Sequence, residues 1–407
     1  MGLSILALGI FAGAYMAWNI GANDVANAMA SAVGAKAITL RQAVFIGGTL
    51  DFVGAAFIGS HVTSTIRENI LSPQMISDPR IMMLGLLAAL LAAAFWVFFA
   101  TWSQFPVSTT HSIVGSIVGF GIIAGGWGAI KWVQVIAIVL SWIISPIFAG
   151  ILTFFIFDFI RRRILSAPQR LKATLYWSPL FSGVTILIVM LSLLTKTPLG
   201  EQLGITMRSA LLFSSLAAVA VGVITRKWIQ EAIHEMEEGG TEEIFRRFQI
   251  FTSCYVALAH GANDVANAIG PVAGIYVIYQ TQSVIQTAEV PIFLLILGGA
   301  FIMLGVFTWG YRVIETLGSK ITTLTNTRGF SVDFGTATSV LIASKLGLPV
   351  STTHAAVGAV IGVGLAGGVA AVDFKVVWKI TLYWLITLPL SAIPTMIIFK
   401  ILKVIYM

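Results

Sequence analysis

Cysteine is almost missing from this sequence: Cys254 stands alone, which excludes an internal disulfide framework and any site built from several thiolates. Charge is scarce as well, at 10% of 407 residues against about a quarter in an ordinary soluble domain. A chain that is 57% hydrophobic has too little polar surface to fold in water and needs lipid as its solvent. Regular alternation of apolar and polar residues is also lacking. The run 84–91 is apolar throughout, so a membrane β-barrel, built from alternating segments of about ten residues, is excluded.

What the sequence does contain is long apolar runs, many of roughly 18 residues or more, the length a helix needs to cross the hydrocarbon core. They predict spans near 2–20, 42–62, 81–102, 131–158, 174–194, 206–224, 250–268, 290–310 and 376–399. Two further apolar limbs, 107–125 and 334–370, are interrupted by Gly and Pro and read as re-entrant or broken elements. No basic side chain precedes the first run and no small-residue cleavage site follows it, so it reads as a retained span. The expected fold class is an all-α integral membrane protein of about 12 membrane segments.

The net charge of +7 could point to an acidic partner, but the basic residues gather between the spans. Cytoplasmic positive bias explains them, and no nucleic acid is expected. With segments 35–41, 159–173, 225–249, 311–333 and 371–379 inside, sixteen of the 24 basic residues lie on that side. Both termini then face out, and Arg161, Arg162 and Arg163 weigh most.

The chain repeats itself. Gly21-Ala22-Asn23-Asp24-Val25-Ala26-Asn27-Ala28 returns unchanged 240 positions later as Gly261-Ala262-Asn263-Asp264-Val265-Ala266-Asn267-Ala268. Pro106-Val107-Ser108-Thr109-Thr110-His111 returns 243 positions later as Pro349-Val350-Ser351-Thr352-Thr353-His354. The halves are 1–158 and 250–407, and 159–249 supplies connecting spans and a charged cytoplasmic segment. The charge bias starts the first half outside and the second inside, which makes them inverted-topology repeats. Repeats of that kind place a site near the midplane, at their interface. Duplicated scaffolds without a site also exist, but packing alone does not preserve identical polar residues.

Helical spacing lets Asn23, Asp24 and Asn27 share one face, as it does Asn263, Asp264 and Asn267. Carboxylate and amide oxygens suit a hard cation, and an unwound turn could add carbonyls. The plainer alternative is hydrogen bonding between helices. A buried carboxylate costs on the order of 3 kcal/mol on insertion scales, however, which argues for function. In the second block, Pro followed by Ser-Thr-Thr reads as a helix start, with free N–H groups and hydroxyls suited to an oxyanion. Ordinary capping is the alternative, and the duplication argues against it.

Together the blocks pose an electrostatic problem. A doubly charged oxyanion about 5 Å from a bare carboxylate is repelled by roughly 6 to 7 kcal/mol at an effective dielectric near 20. No arginine lies in either block, so cations or protons must arrive with the anion, and the binding of one becomes conditional on the other. The amides favour sodium, although carboxylates serve protons equally well.

Other polar residues are less informative. Asp51 is a candidate extra cation site, although its aligned position in the other half is Ile302. His260 aligns with Ile20 and also lacks a mate. His111 and His354 could move protons, meet the anion or anchor the helix hairpins. Lys345 reads as a snorkelling lysine that could reach the anion. The segment 231–243 reads as a solvated amphipathic stretch.

The twin octapeptides and twin Pro-Val-Ser-Thr-Thr-His blocks resemble the inorganic phosphate transporter (PiT) family over essentially the whole chain. The resemblance implies a secondary symporter of inorganic phosphate coupled to sodium or protons, in a plasma or inner membrane. It implies phosphate contacts at Asp24, Asn27, Ser108, Thr109 and Thr110, and at Asp264, Asn267, Ser351, Thr352 and Thr353. Sodium would lie at Asn23, Asp24, Asn263 and Asp264. A proton-coupled phosphate or sulfate permease is the runner-up, since fold does not name the anion. A passive channel would not need two copies of a carboxylate motif. An enzyme acting through Ser108 and His111 is conceivable, yet neither G-x-S-x-G nor H-E-x-x-H occurs. The sequence leaves oligomeric state open.

Overall fold

The computed structural model describes residues 2–59, 70–72, 75–196, 204–232, 240–284, 290–345 and 351–407. The described residues are almost wholly helical. The first half runs through α1 (Gly2–Asp24), α2 (Ala26–Gly34), α3 (Leu40–Ile58), α4 (Pro79–Trp102), α5 (Thr109–Gly125) and α6 (Trp132–Ile160). Then come α7 (Arg170–Lys196) and α8 (Met207–Ala232). The second half runs through α9 (Gly240–Thr281), α10 (Ile292–Trp309), α11 (Tyr311–Ser319), α12 (Asn326–Lys345), α13 (Thr352–Ala366) and α14 (Phe374–Tyr406).

Local chemistry sets many of the starts. Thr39 and Gln42 close a capping box on α3. Asp78 accepts the free N–H groups of Arg80 and Ile81, with Pro79 in the first turn of α4. Asp373 does the same for Lys375 and Val376 at α14. Among the described residues, eight helical segments are long and apolar enough to cross a membrane, and α5 and α13 are shorter apolar helices.

The expected span 250–268 lies inside α9, which is not one of the eight. Its polar residues, Asp264, His260 and the two Asn among them, dilute the apolar signal. The expectation of an unwound turn is corrected. The second octapeptide lies within the uninterrupted α9, and the first is broken only at Val25, which keeps helical angles (φ −55°, ψ −26°).

Helices α1 and α9, which carry the octapeptides, are pinned by close backbone crossings. A Cβ on Gly21 would collide with the carbonyl of Ile302 in α10, and one on Gly261 with that of Asp51 in α3. Since position 51 aligns with 302, this is one crossing made twice. Small residues allow that approach where lipid gives no hydrophobic drive. Helix α4 is buried in the centre, whereas α7 and α8 pair at the periphery and turn Leu211, Leu212, Phe213 and Leu216 outward. The later helix of each hairpin packs on the other half: α13 on α6, and α5 on α14.

Candidate functional site

Ser108 and Ser351 cap α5 and α13 with matching geometry (φ −84° at both, ψ 117° and 118°). Each Oγ accepts the backbone N–H three residues on, of His111 and His354, at 3.2 Å. The two threonines that follow each cap begin the helix, and their hydroxyls point to α1, α2 and α9.

The four threonines are shared between halves. The Thr109 hydroxyl donates to Asp24 Oδ2 at 2.7 Å, and Asn267 of the other half donates to the hydroxyls of Thr109 and Thr110 at 3.2 Å each. In mirror image, Thr352 donates to Asp264 Oδ2 at 3.2 Å, and Asn27 donates to Thr353 at 3.0 Å and Thr352 at 3.4 Å. Each hydroxyl pair is therefore held by the aspartate of its own half and the asparagine of the other. One contact breaks the symmetry: Thr353 is also 3.3 Å from Asp24 Oδ1. All of these side chains are buried except Thr352, which is partly so.

The asparagines preceding the aspartates sit differently. Asn23 braces the hairpin corner, donating to Thr101 Oγ1 (2.9 Å) and the Phe105 carbonyl (3.1 Å) and accepting from Val107 N–H (3.1 Å). Asn263 donates to Asp264 Oδ1 at 2.7 Å. The mirror of the Asn23 brace falls at 344–350, where neither the side chains nor most of the backbone lie within the described residues. Lys345 is among those undescribed side chains. Of segment 231–243, residues 233–239 lie outside the described residues; Glu242 holds Thr327 at the start of α12, and Glu243 pairs with Arg246.

Asp51 and His260, each without a mate in sequence, prove to be each other's partner. Asp51 Oδ1 lies 2.9 Å from His260 Nδ1, and His260 Nε2 lies 2.9 Å from Asp264 Oδ2. One ligand atom from each of Asp24, His260 and Asp264 falls within 4.8 Å of the others. The cluster thus holds three carboxylates and one imidazole. With all three carboxylates ionised, even a fully charged ring leaves two negative charges uncompensated before any anion arrives.

Sequence reasoning passed over three features. Asp333 on α12 is buried and held by Thr252, Ser253 and Ser31, the last of which lies one turn beyond Asn27 in α2. Thr101 supports Asn23. The tryptophans at 142 and 384 stack on His111 and His354. Their 242-residue separation was a readable signal of the repeat.

The sequence pattern of the phosphate transporter family matches residues 20–395, which takes in both copies of both blocks. The chain belongs to the phosphate transporter family. Among its relatives, a protein of Pyrococcus horikoshii named as a phosphate permease is 48% identical over 98% of each chain. The chloroplastic inorganic phosphate transporter 2-1 of Arabidopsis thaliana is 40% identical over 93% of this chain and 69% of that one. A solved structure described as the sodium-dependent phosphate transporter matches with a TM-score of 0.91 at 43% identity, covering 99% of this chain and 100% of that one. Membership in the phosphate transporter family makes phosphate the substrate. The apolar spans make the chain a multi-pass protein of the cell membrane, surrounded by lipid.

Proposed function

We propose that this member of the phosphate transporter family is a sodium-driven phosphate symporter built from two inverted repeats. Its anion sits between the starts of α5 and α13, and sodium ions bridge it to Asp24 and Asp264. The observation that carries this reading is the shared hydroxyl cluster, in which each half completes the other's site around two carboxylates. Free N–H groups at two helix starts and four threonine hydroxyls offer donors to phosphate oxygens. The surplus of negative charge would reject the same anion unless cations enter with it.

The roles divide accordingly. Thr109, Thr110, Thr352 and Thr353, with Ser108 and Ser351 at the caps, face the anion, and Asn27 and Asn267 orient the hydroxyls. Asp24 and Asp264 serve both ions. Asn23 and Asn263 contribute to the sodium sites, Asn23 chiefly by fixing the corner that presents Ser108. Asp51, bonded to His260, stands behind Asp264 and is the further cation position. Sodium rather than protons is supported by the amide oxygens and by the name of the structural neighbour, which is sodium-dependent.

The test is uptake of labelled phosphate into proteoliposomes, with sodium and pH gradients imposed separately and sulfate as competitor. Accumulation driven by the sodium gradient alone is expected. Accumulation that follows only the pH gradient would move the coupling to protons, and uptake that cannot exceed equilibrium would make the protein a passive channel.

A further inference from the structure

Behind the anion cluster, four rings form one column: Trp142, His111, His354 and Trp384. Centroids are 3.4 Å apart for Trp142 and His111, 4.3 Å for the two histidines, and 3.6 Å for His354 and Trp384. Each half supplies one histidine and one tryptophan, and the histidines meet in the middle.

The rings are mirrored but their hydrogen bonds are not. His354 Nδ1 donates to the backbone carbonyl of Trp142, across the halves, at 2.9 Å. That carbonyl is free for a covalent reason. Its helical partner would be the N–H of residue 146, and residue 146 is a proline within α6. His111, by contrast, has no partner for either ring nitrogen among the described residues, although the ring is buried. A buried polar group left unpaired costs about 1–3 kcal/mol, so an idle ring needs a reason. The mirrored helix also offers an acceptor. Pro389 within α14 removes the N–H that would bind the carbonyl of Leu385, in the turn that carries Trp384.

In a transporter made of inverted repeats, a contact present in one half and absent from the other is what the opposite conformation exchanges. We propose that His111 and His354 form a two-position latch, in which one histidine at a time holds a proline-freed carbonyl of the other half. In this conformation His354 holds Trp142. In the alternate one His354 lets go and His111 takes the acceptor in α14. The histidines follow the anion-binding threonines directly, so moving the latch also moves the helix starts that face phosphate. This inference rests on the alternating-access reading above.

The test uses proteoliposomes with the full-length protein in one orientation, and measures KM for phosphate from each face. His354→Phe keeps the ring stack but loses the donor. Pro146→Ala returns the N–H that recaptures the Trp142 carbonyl and leaves all four rings of the column and every side chain of the anion cluster in place. Both should move the ratio of external to internal KM in one direction, by about two- to tenfold, the span of one net hydrogen bond. His111→Phe and Pro389→Ala should move it in the opposite direction. Shifts of the same sign in both sets, no shift in any, or loss of uptake in the proline variants would overturn the latch. Wild-type protein that fails to take up phosphate against its gradient would overturn the transport reading instead, and the two failures are distinct.

Discussion

Asp24→Asn is the sharpest test of the proposed coupling between sodium and phosphate at the cluster. The carboxylates of Asp24 and Asp264 approach within 4.8 Å, where two unit charges repel by about 3.5 kcal/mol at an effective dielectric near 20. A phosphate dianion about 5 Å away adds roughly 6 to 7 kcal/mol of repulsion from each carboxylate. The amide keeps the shape and leaves an oxygen to accept from Thr109, so the fold should survive. Removing the charge acts on the two ions in opposite senses. Sodium about 3 Å away loses roughly 5 kcal/mol of attraction, which is more than a thousandfold in affinity. Phosphate is relieved of a repulsion of similar size. Binding of phosphate to the variant should therefore lose most of its sodium dependence, while sodium-driven uptake falls by about a hundredfold or more. Isothermal titration at zero and saturating sodium, beside uptake of labelled phosphate, measures both. A variant that binds phosphate with the wild-type sodium dependence would refute the reasoning, as would wild-type protein that binds equally well without sodium.

Asn23→Ala should lower the melting temperature in detergent by several degrees, because each buried group it leaves unpaired near Val107 costs about 1–3 kcal/mol. An unchanged melting temperature with altered sodium activation would give Asn23 a cation role instead. Asn27→Ala and Asn267→Ala should raise KM for phosphate by similar factors of about ten, each removing a donor to a threonine pair. An effect from only one of them would deny the shared site. Gly21→Ala and Gly261→Ala should abolish most folded protein in size-exclusion chromatography, whereas Gly128→Ala, where a Cβ meets only the end of Met75 at 3.7 Å, should not.

The sequence told most about what it contains twice. Two identical octapeptides and two identical hydroxyl blocks located the cluster, and Ser108 and Ser351 cap their helices as the block predicts, although Pro106 lies two residues before its cap and not in the first turn. It did not reveal who pairs with whom. That Asn267 serves Thr109, and Asn27 serves Thr353, depends on how the two halves interlock, which no local pattern encodes. Asp51 and His260 were each noted as lacking a mate. Their contact spans 209 positions and has two isoleucines at the mirrored place, so symmetry could not find it. Asp333 escaped for a similar reason: its three hydroxyl partners come from α2 and α9, and none belongs to a repeated motif. The break at Val25 in one copy only was equally invisible, since both copies have the same eight residues.

Because α5 rests on α14 and α13 on α6, neither half is a finished object by itself. A nascent chain that has reached α8 carries Asn27 with no threonine from the second half to bind, and a hairpin with nothing against its outer side. Insertion into the bilayer must then run ahead of assembly, and Asp51 and Asp24 wait for His260 of α9 and Thr353 of α13 until the second half is made. A stop codon within α14 should accordingly disable the whole protein, first half included.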